Sequence, residues 1–468
     1  MFPLVAFPAV VEHYAPHFAA VFSDAAFIQF KRYISGLLVA ENKTVEGINR
    51  LFVLESRHQS SLNRLLTASP FSLPALNQAR LALLQTLPGT ACKPQGVLSL
   101  DDTLLTHYGQ HFDQIAYLSD HTQQRYVWAH NLVTLHYSDD ATDYPVAFEL
   151  WQPPDLPALE AGLQQAGLAL QARKSALKQT DLAKWRRYLL GVWRRHQNQP
   201  AVAALYASKL QIARRLAGVW RAQPDALDLP VTFDSWYTQP AFCHALDQCG
   251  VAYVGTLTDA AVVVLKTGPI PLVDFAARLK AEHLAQVSGP RPPFRPITIP
   301  FKGQHEPYYS YCQTHWLKNF GRVRLVINHR QADLSDAPVY YVSNRLTWQA
   351  AGLTRIRRHR WPVEVYHEEG KAEGLDQYQL RDWGAIERHV ALVAVVYSLL
   401  RAAQADPDLQ QALQGELQLE LEGSVAFWRR VTQAHSLWSL ALFISVGVAQ
   451  GQSLREVLAP LLRAMCAP

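Results

Sequence analysis

The chain has 468 residues, of which 49% are hydrophobic, 18% charged and 10% aromatic, a balance that excludes disordered, collagen-like and repeat-biased polypeptides. Lys and Arg (44) exceed Asp and Glu (39) by a formal +5, too mild a surplus to establish a polyanionic partner by itself. Five scattered cysteines, Cys92, Cys243, Cys249, Cys312 and Cys466, show no C-x-x-C spacing, which argues against a zinc ribbon or disulfide framework and for a reducing compartment.

Residues 1–11 are apolar but lack a positively charged leader, so no secretory signal is expected. From 22 to 87 apolar residues recur at helical spacing, as in Phe27, Phe30, Tyr33, Ile34 and Leu37, with turn signals at Asn42 and Ser69-Pro70. Residues 44–52 and 60–67 fit a helix-turn-helix whose second helix would enter a DNA groove; a plain packing pair fits the same pattern. Strands follow at 97–100, 116–118, 125–137 and 144–150, rich in β-branched and aromatic residues and read as an antiparallel meander. Residues 158–221 read as helical. Strands at 229–233 and 251–254 enclose a helix near 240–246, which implies a parallel crossover. Residues 262–344 return to β character around the stiff loop Gly289-Pro-Arg-Pro-Pro-Phe-Arg-Pro296, and the chain is mostly helical from Trp348 onward. The apolar runs 390–400 and 437–449 are shorter than the ~20 residues that cross a bilayer. Both are expected to be buried helices, with no membrane partner.

Three acidic residues stand at element ends. Asp102, in Leu100-Asp-Asp-Thr103, is expected to close the first strand, and Asp234, in Val231-Thr-Phe-Asp-Ser-Trp-Tyr237, the strand at 229–233. Glu364 lies in a helix beginning near Arg360. Carboxylates at the C-terminal ends of neighbouring strands converge where open α/β sheets hold ligands. Such a cluster must hold cations or remain partly protonated. Its hard oxygen donors favour Mg²⁺ or Mn²⁺, and two such ions activate a water or 3′-hydroxyl in phosphodiester displacement. Singly, each Asp reads more simply as a turn or capping residue and Glu364 as part of a solvated helix face; the combination carries the reading. The 18 histidines show no zinc-ligand spacing.

In this combination the chain resembles the DDE transposases of bacterial insertion sequences, in the branch with a Y-x2-R-x3-E-x6-K signature. Asp101-Asp102-Thr103 is similar to that family's first catalytic Asp motif and Phe233-Asp-Ser-Trp-Tyr237 to its second. Arg360, Glu364 and Lys371 match R-x3-E-x6-K, while Arg357 stands at the tyrosine position. The similarity continues through Gly374-Leu-Asp-Gln-Tyr-Gln-Leu-Arg381 and covers about 97–400. It implies an α+β, RNase H-like core: a mixed five-stranded sheet flanked by helices, with a β-rich insertion before the last catalytic helix. The implied organisation is a helical DNA-binding region over 1–92, the core over 93–258 and 346–402, the insertion over 259–345 and a helical C-terminal region over 403–468. It further implies that Asp102, Asp234 and Glu364 are catalytic and bind two Mg²⁺ or Mn²⁺ ions, and that Arg360 and Lys371 contact phosphates near the cleaved strand. Glu364 and Lys371 are two helical turns apart and share one face. The implied partners are the inverted-repeat ends of the element, target duplex DNA and a second copy in the synaptic complex. The implied reaction is cleavage, through a hairpin, followed by strand transfer, in a bacterial cytoplasm at the nucleoid.

The basic residues are unevenly spread. Twelve fall between 173 and 221 against one acid, Asp181, with Trp185, Trp193 and Trp220 interleaved. Arg186, Arg187, Arg194 and Arg195 are candidate contacts to the DNA backbone, set against a solvated helix face. Arg355-Ile-Arg-Arg-His-Arg360 is a second cluster, adding Arg357 and Arg358 to the candidates. Tyr340, Tyr341, Trp316 and Trp348 are candidates to hold an unstacked base, or core aromatics. Two alternatives to a transposase remain at this stage: a DNA-binding derivative that has lost catalysis, and a metal-dependent endonuclease without strand transfer.

Overall fold

Helices open the chain in the computed structural model, which describes residues 3–54, 57–120, 123–171, 179–223, 226–285 and 292–465. They are α1 (Ala9–Tyr14), α2 (Asp24–Val39), α3 (Val45–Asn49), α4 (Ser60–Thr67) and α5 (Leu73–Thr86). Thr44 and Ser72 cap α3 and α5, their hydroxyls accepting from the N–H of Gly47 and Ala75. The helix-turn-helix expectation falls on α3 and α4. The former has only five residues, and α4 buries Leu62, Leu65 and Leu66 beside α2, leaving Arg64 and Thr67 exposed.

The next elements are β1 (Val97–His107), β2 (Ala116–Asp120), β3 (Arg125–Ser138), β4 (Asp143–Trp151), α6 (Leu156–Gln165), α7 (Gln179–His196), α8 (Pro200–Ala203) and α9 (Lys209–Arg221). They lead into β5 (Val231–Phe233), α10 (Pro240–Gln248) and β6 (Tyr253–Leu257). Five strands lie in the order β4, β3, β1, β5, β6: an antiparallel meander joined to two strands parallel to β1. This is the mixed, helix-flanked α+β sheet of an RNase H-like core. Helices α9 and α10 cover one face, with Phe242 edge-on to Phe233 at 5.3 Å. Between β4 and α9, α6 to α8 form a satellite core of their own around Leu159, Leu163, Trp185, Leu189 and Trp193.

The sheet does not stop at five strands. Over the range expected as an insertion come β7 (Val262–Leu265), β8 (Gly268–Pro271), α11 (Leu272–Ala285), β9 (Arg295–Phe301), β10 (Gln304–Leu317), β11 (Gly321–His329) and β12 (Val339–Ser343). β12 pairs antiparallel with β6, and β11, β10, β7 and β8 follow, so twelve strands form one continuous sheet. This closes the β6 edge that a five-stranded sheet would leave unpaired. The β-rich stretch also contains a 14-residue helix, α11.

The C-terminal half is helical: α12 (Ala350–Arg358), α13 (Trp361–Ala372), α14 (Trp383–Ala405), α15 (Pro407–Leu417), α16 (Val425–Ala449) and α17 (Leu454–Met465). α12 and α13 cover the second face of the sheet, where Val97, Val254, Val326 and Tyr341 pack on Leu353 and Ile356. α14 is apolar on all sides and lies buried among α2, α4, α5, α13 and α16, as expected for the run 390–400. The run 437–449 is different. α16 buries Val425, Trp428, Val431, Thr432 and Ser436, but beyond Ser436 only Gly447 is buried. In its second half Leu437, Trp438, Leu442, Val446 and Val448 are exposed, so the expectation of a buried helix fails there.

Arg173, Lys174 and Lys178 of the basic segment, Gly289, Pro290 and Arg291 of the proline-rich loop, and Cys466 lie outside the described residues.

Candidate active site

Side chains alternate between the two faces of a strand, and β1 shows which acid faces which way. Leu98 and Leu100 pair in register with Val231 and Phe233 of β5 and point to the α9/α10 face. Ser99 pairs with Thr232 and points to the α12/α13 face. One residue beyond the Leu100 to Phe233 pair, the last of that ladder, stand Asp101 and Asp234, near enough that the Asp234 charge acts on Asp101 and both act on Arg357 of α12. Thr134, opposite Asp101 on β3, confirms the side by meeting His367 of α13 at 3.1 Å.

Alternation therefore turns Asp102 to the face opposite Asp101, because β1 does not end there but continues to His107. Its carboxylate accepts from Tyr237 Oη at 2.8 Å, Asn131 Nδ2 at 2.6 Å and Lys209 Nζ at 2.8 Å. Burial, with the adjacent Asp102 charge, pushes the Tyr237 phenol well up, so it remains a donor. Lys209 also sits 4.1 Å over the exposed Trp236 ring. Asp102 thus ties the start of α9, and the basic helical segment before it, to the strand that carries Asp101.

Asp234 is held by its own turn, its Oδ1 accepting from the N–H of Trp236 at 3.0 Å and of Tyr237 at 3.1 Å. Arg360, at the N-cap of α13, donates to Asp101 Oδ2 at 2.8 Å and to Glu364 one turn along. A guanidinium thus stands between two of the three carboxylates. Burial pushes the Asp101 carboxyl up to about 7; Arg360 opposes this, and the negative charges of Asp102 and Asp234 add to it. Among the described residues no three His, Cys, Asp or Glu side chains are gathered closely enough to share an ion in this conformation. The donor set of Asp101, Asp234 and Glu364 is all carboxylate oxygen and fits a hard divalent cation.

The remaining expected residues divide. Arg357 is largely enclosed, donating to Thr256 Oγ1 at 2.6 Å, and burial and the adjacent Arg360 lower it to about 10. Arg358 forms a bidentate pair with Glu306 at 2.8 and 2.6 Å and stacks on Phe301. Lys371 is half-buried on α13, two turns past Glu364. A cleft of about 240 Å³ opens between the late strands and α12/α13, lined by Arg330, Arg357, Arg358, Arg360, Tyr308 and Trp361. Trp361, 53% exposed and directly after Arg360, escaped the sequence reading. Tyr340 and Tyr341 are buried, Trp348 is half-buried and Trp316 is exposed on β10. On α7, Arg187, Arg194 and Arg195 are exposed, Arg186 is half-buried, and none has an ion-pair partner among the described residues.

Asp101 had a legible signal. Leu98-Ser-Leu-Asp101 and Val231-Thr-Phe-Asp234 repeat one pattern, apolar, hydroxyl, apolar, Asp, which places the two Asp residues on one face of parallel neighbours.

A family model described as DDE superfamily endonuclease matches residues 17–273, more than half of the chain. The match includes Asp101, Asp102 and Asp234 and stops short of Glu364. No curated protein matches the chain.

Proposed function

The chain belongs to the DDE superfamily of endonucleases, and from that premise we propose that it is a DNA transposase whose reacting centre is the face carrying Asp101, Asp234 and Glu364. Membership makes it a nuclease acting on DNA with divalent metal ions. The observation that carries the finer reading is that Asp101 and Asp234 each follow the last paired residues of β1 and β5, with the Asp234 charge acting on Asp101, while Arg360 spans Asp101 and Glu364.

Asp101, Asp234 and Glu364 would hold Mg²⁺ or Mn²⁺, two ions in the full complement, which supply activation of the attacking oxygen and stabilisation of the leaving one. The protein's own groups bind and orient the DNA. Arg360 and Lys371 lie on the helix that carries Glu364, and a backbone phosphate is the natural alternative partner for the Arg360 guanidinium. The arginine-lined cleft beside Trp361 suits a distorted strand end, with its phosphates on the cations and a base on the indole. Arg357 and Arg358, held by Thr256 and Glu306, shape that cleft more than they reach out from it. Arg186, Arg187, Arg194 and Arg195 of α7, without an ion-pair partner among the described residues, supply positive charge to the duplex backbone, which gives affinity without sequence preference. Inverted-repeat ends, a hairpin intermediate, strand transfer and a two-copy synaptic complex complete the proposal, with the nucleoid of a bacterial cytoplasm as its place of work.

Product analysis tests it. Linear DNA carrying the flanking ends, incubated with the protein, Mg²⁺ and a target plasmid, is expected to yield 3′ ends joined to the plasmid. Cleaved ends that are never joined would reduce the protein to an endonuclease.

A further inference from the structure

Helix α13 carries Glu364 and Lys371, with Arg360 at its N-cap, so its placement sets the reacting centre. Val363, Tyr366, His367 and Gly370 are buried, and His367 meets Thr134 of β3 at 3.1 Å. At 100° per residue, Glu364 and Lys371 fall within about 20° of each other on one flank of the helix. Glu369 and Glu373 lie about 140° and 180° round from Glu364, on the other flank.

Glu373 is poorly placed for stability. It is fully buried, at 0% exposure, and closes the helix at its C-terminal end, where the macrodipole is negative. One carboxylate oxygen accepts from Arg429 of α16 at 3.0 Å, and the other has no hydrogen-bond partner among the described residues. Burial pushes the carboxyl up, Lys43 and Arg429 oppose this, and the charge of Glu369 adds to it. Lys43, 4% exposed in the turn between α2 and α3, donates to the Leu37 carbonyl and lies against Gly374. Gly374 has a φ of +99°, and a Cβ there would come within 2.9 Å of Lys43 Cβ. Arg429 also reaches Glu369, at 3.9 Å. Two cations from opposite ends of the chain thus converge on one flank of α13.

A buried ion cluster is often no more stabilising than apolar residues of similar volume, so stability alone does not account for this one. What it fixes is rotation, because turning the helix would separate opposite charges that have no water to replace the partner. A turn of about 10° carries a carboxylate roughly 6 Å from the helix axis through about 1 Å. An error of that size in a reacting group costs on the order of 100-fold in rate. We propose that Glu373, with Lys43 and Arg429, is a positioning residue for the reaction: the buried ion cluster on one flank of α13 sets the rotation of the helix, and with it the placement of Glu364 and Lys371 on the other. The inference rests on the reading of Glu364 as a metal-holding residue of the reacting centre.

The test uses the full chain, supercoiled plasmid and Mn²⁺, well below the melting temperature. Two proteins are compared with the wild type: Glu373→Gln, and the triple variant Lys43→Met, Glu373→Leu, Arg429→Met. In both, the nicking rate at saturating protein is expected to fall at least ~30-fold while the half-saturating protein concentration stays within about threefold. Mn²⁺ affinity of the DNA-free protein, read by electron paramagnetic resonance, is expected to fall about 10-fold. The triple variant exchanges the three charges for apolar volume and is expected to melt within about 3 °C of the wild type, which separates a loss of position from a loss of fold. Wild-type nicking and Mn²⁺ affinity in either variant, once folded, would overturn the proposal. Glu364→Gln is the control for the reading beneath it. Nicking lost there but complete in the two cluster variants refutes the positioning role alone, whereas nicking that survives Glu364→Gln refutes the reacting centre itself.

Discussion

Replacing Asp101 and Asp102 separately by Asn discriminates the two faces of β1. Burial raises the Asp101 carboxyl from 3.8 to about 7, with Arg360 opposing and Asp102 and Asp234 adding to it. For an acid raised in the folded state, the associated stability is present below pH ~4 and is lost as pH rises through about 7. At 1.36 kcal/mol per pH unit, keeping Asp101 ionised at pH 8 costs on the order of 4 kcal/mol. Asn at 101 removes that cost and still accepts from Arg360, so Asp101→Asn is expected to melt at or above the wild-type temperature at pH 8. It should also bind Mn²⁺ at least ~10-fold more weakly and cut DNA at least ~100-fold more slowly, the pattern of a site that trades stability for function. Asp102→Asn is expected to do the reverse. Lys209, 23% exposed, loses its 2.8 Å partner, which costs roughly 1–3 kcal/mol of stability, while Mn²⁺ affinity stays within about threefold. Thermal melts beside Mn²⁺ titration by electron paramagnetic resonance read both quantities. If Asp101→Asn binds Mn²⁺ normally while Asp102→Asn does not, the face assignment is refuted.

Three further outcomes follow from the same contacts. Arg360→Gln removes the guanidinium between Asp101 and Glu364 and is expected to tighten Mn²⁺ binding to the DNA-free protein by on the order of 10-fold; weaker binding would show that Arg360 supports the ion site. Changing Arg186, Arg187, Arg194 and Arg195 together to Gln should lower the salt dependence of duplex binding by about three to four in the slope of log K on log salt, measured by fluorescence anisotropy. An unchanged slope would place α7 away from DNA. His389 is fully buried, with Nδ1 accepting from Tyr33 Oη and Nε2 donating to the Gly374 carbonyl, both at 2.7 Å, and burial lowers it to about 4. The unfolded chain takes up that proton near pH 6.5, so stability is complete above 6.5 and falls towards pH 4, by on the order of 3 kcal/mol. His389→Gln keeps a donor and an acceptor and should flatten the fall in melting temperature over that range.

The sequence pattern carried much of this fold because the relevant signals are local. Alternating strands, the crossover around α10 and the all-round apolar α14 were each legible from periodicity, and the R-x3-E-x6-K spacing placed Glu364 and Lys371 on one helix face. What failed depended on where elements stop and what lies beyond them. Asp102 was chosen because β1 was expected to end at it and because Asp101-Asp102-Thr103 is similar to the family's first Asp motif; the strand instead continues to His107, and alternation turns Asp102 to the face opposite Asp101. The continuation of the sheet through β12 rests on a pairing with β6 some eighty residues earlier in the chain, which no local pattern reports. The exposure of α16 was hidden for a similar reason. An apolar helix that is buried in its own chain and one that stays exposed have the same composition, and only the packing of the rest of the chain separates them.

The most direct measurement is of metal-dependent strand cleavage in proteins altered at the shared face. A supercoiled plasmid or linear end fragment with Mg²⁺ or Mn²⁺ should be nicked by the wild-type protein. Asp101→Asn, Asp234→Asn and Glu364→Gln should each lose that activity by at least ~100-fold while melting cooperatively. Nicking that persists in all three variants, or that survives removal of divalent ions by EDTA, would contradict the placement of the reacting centre on this face of the sheet.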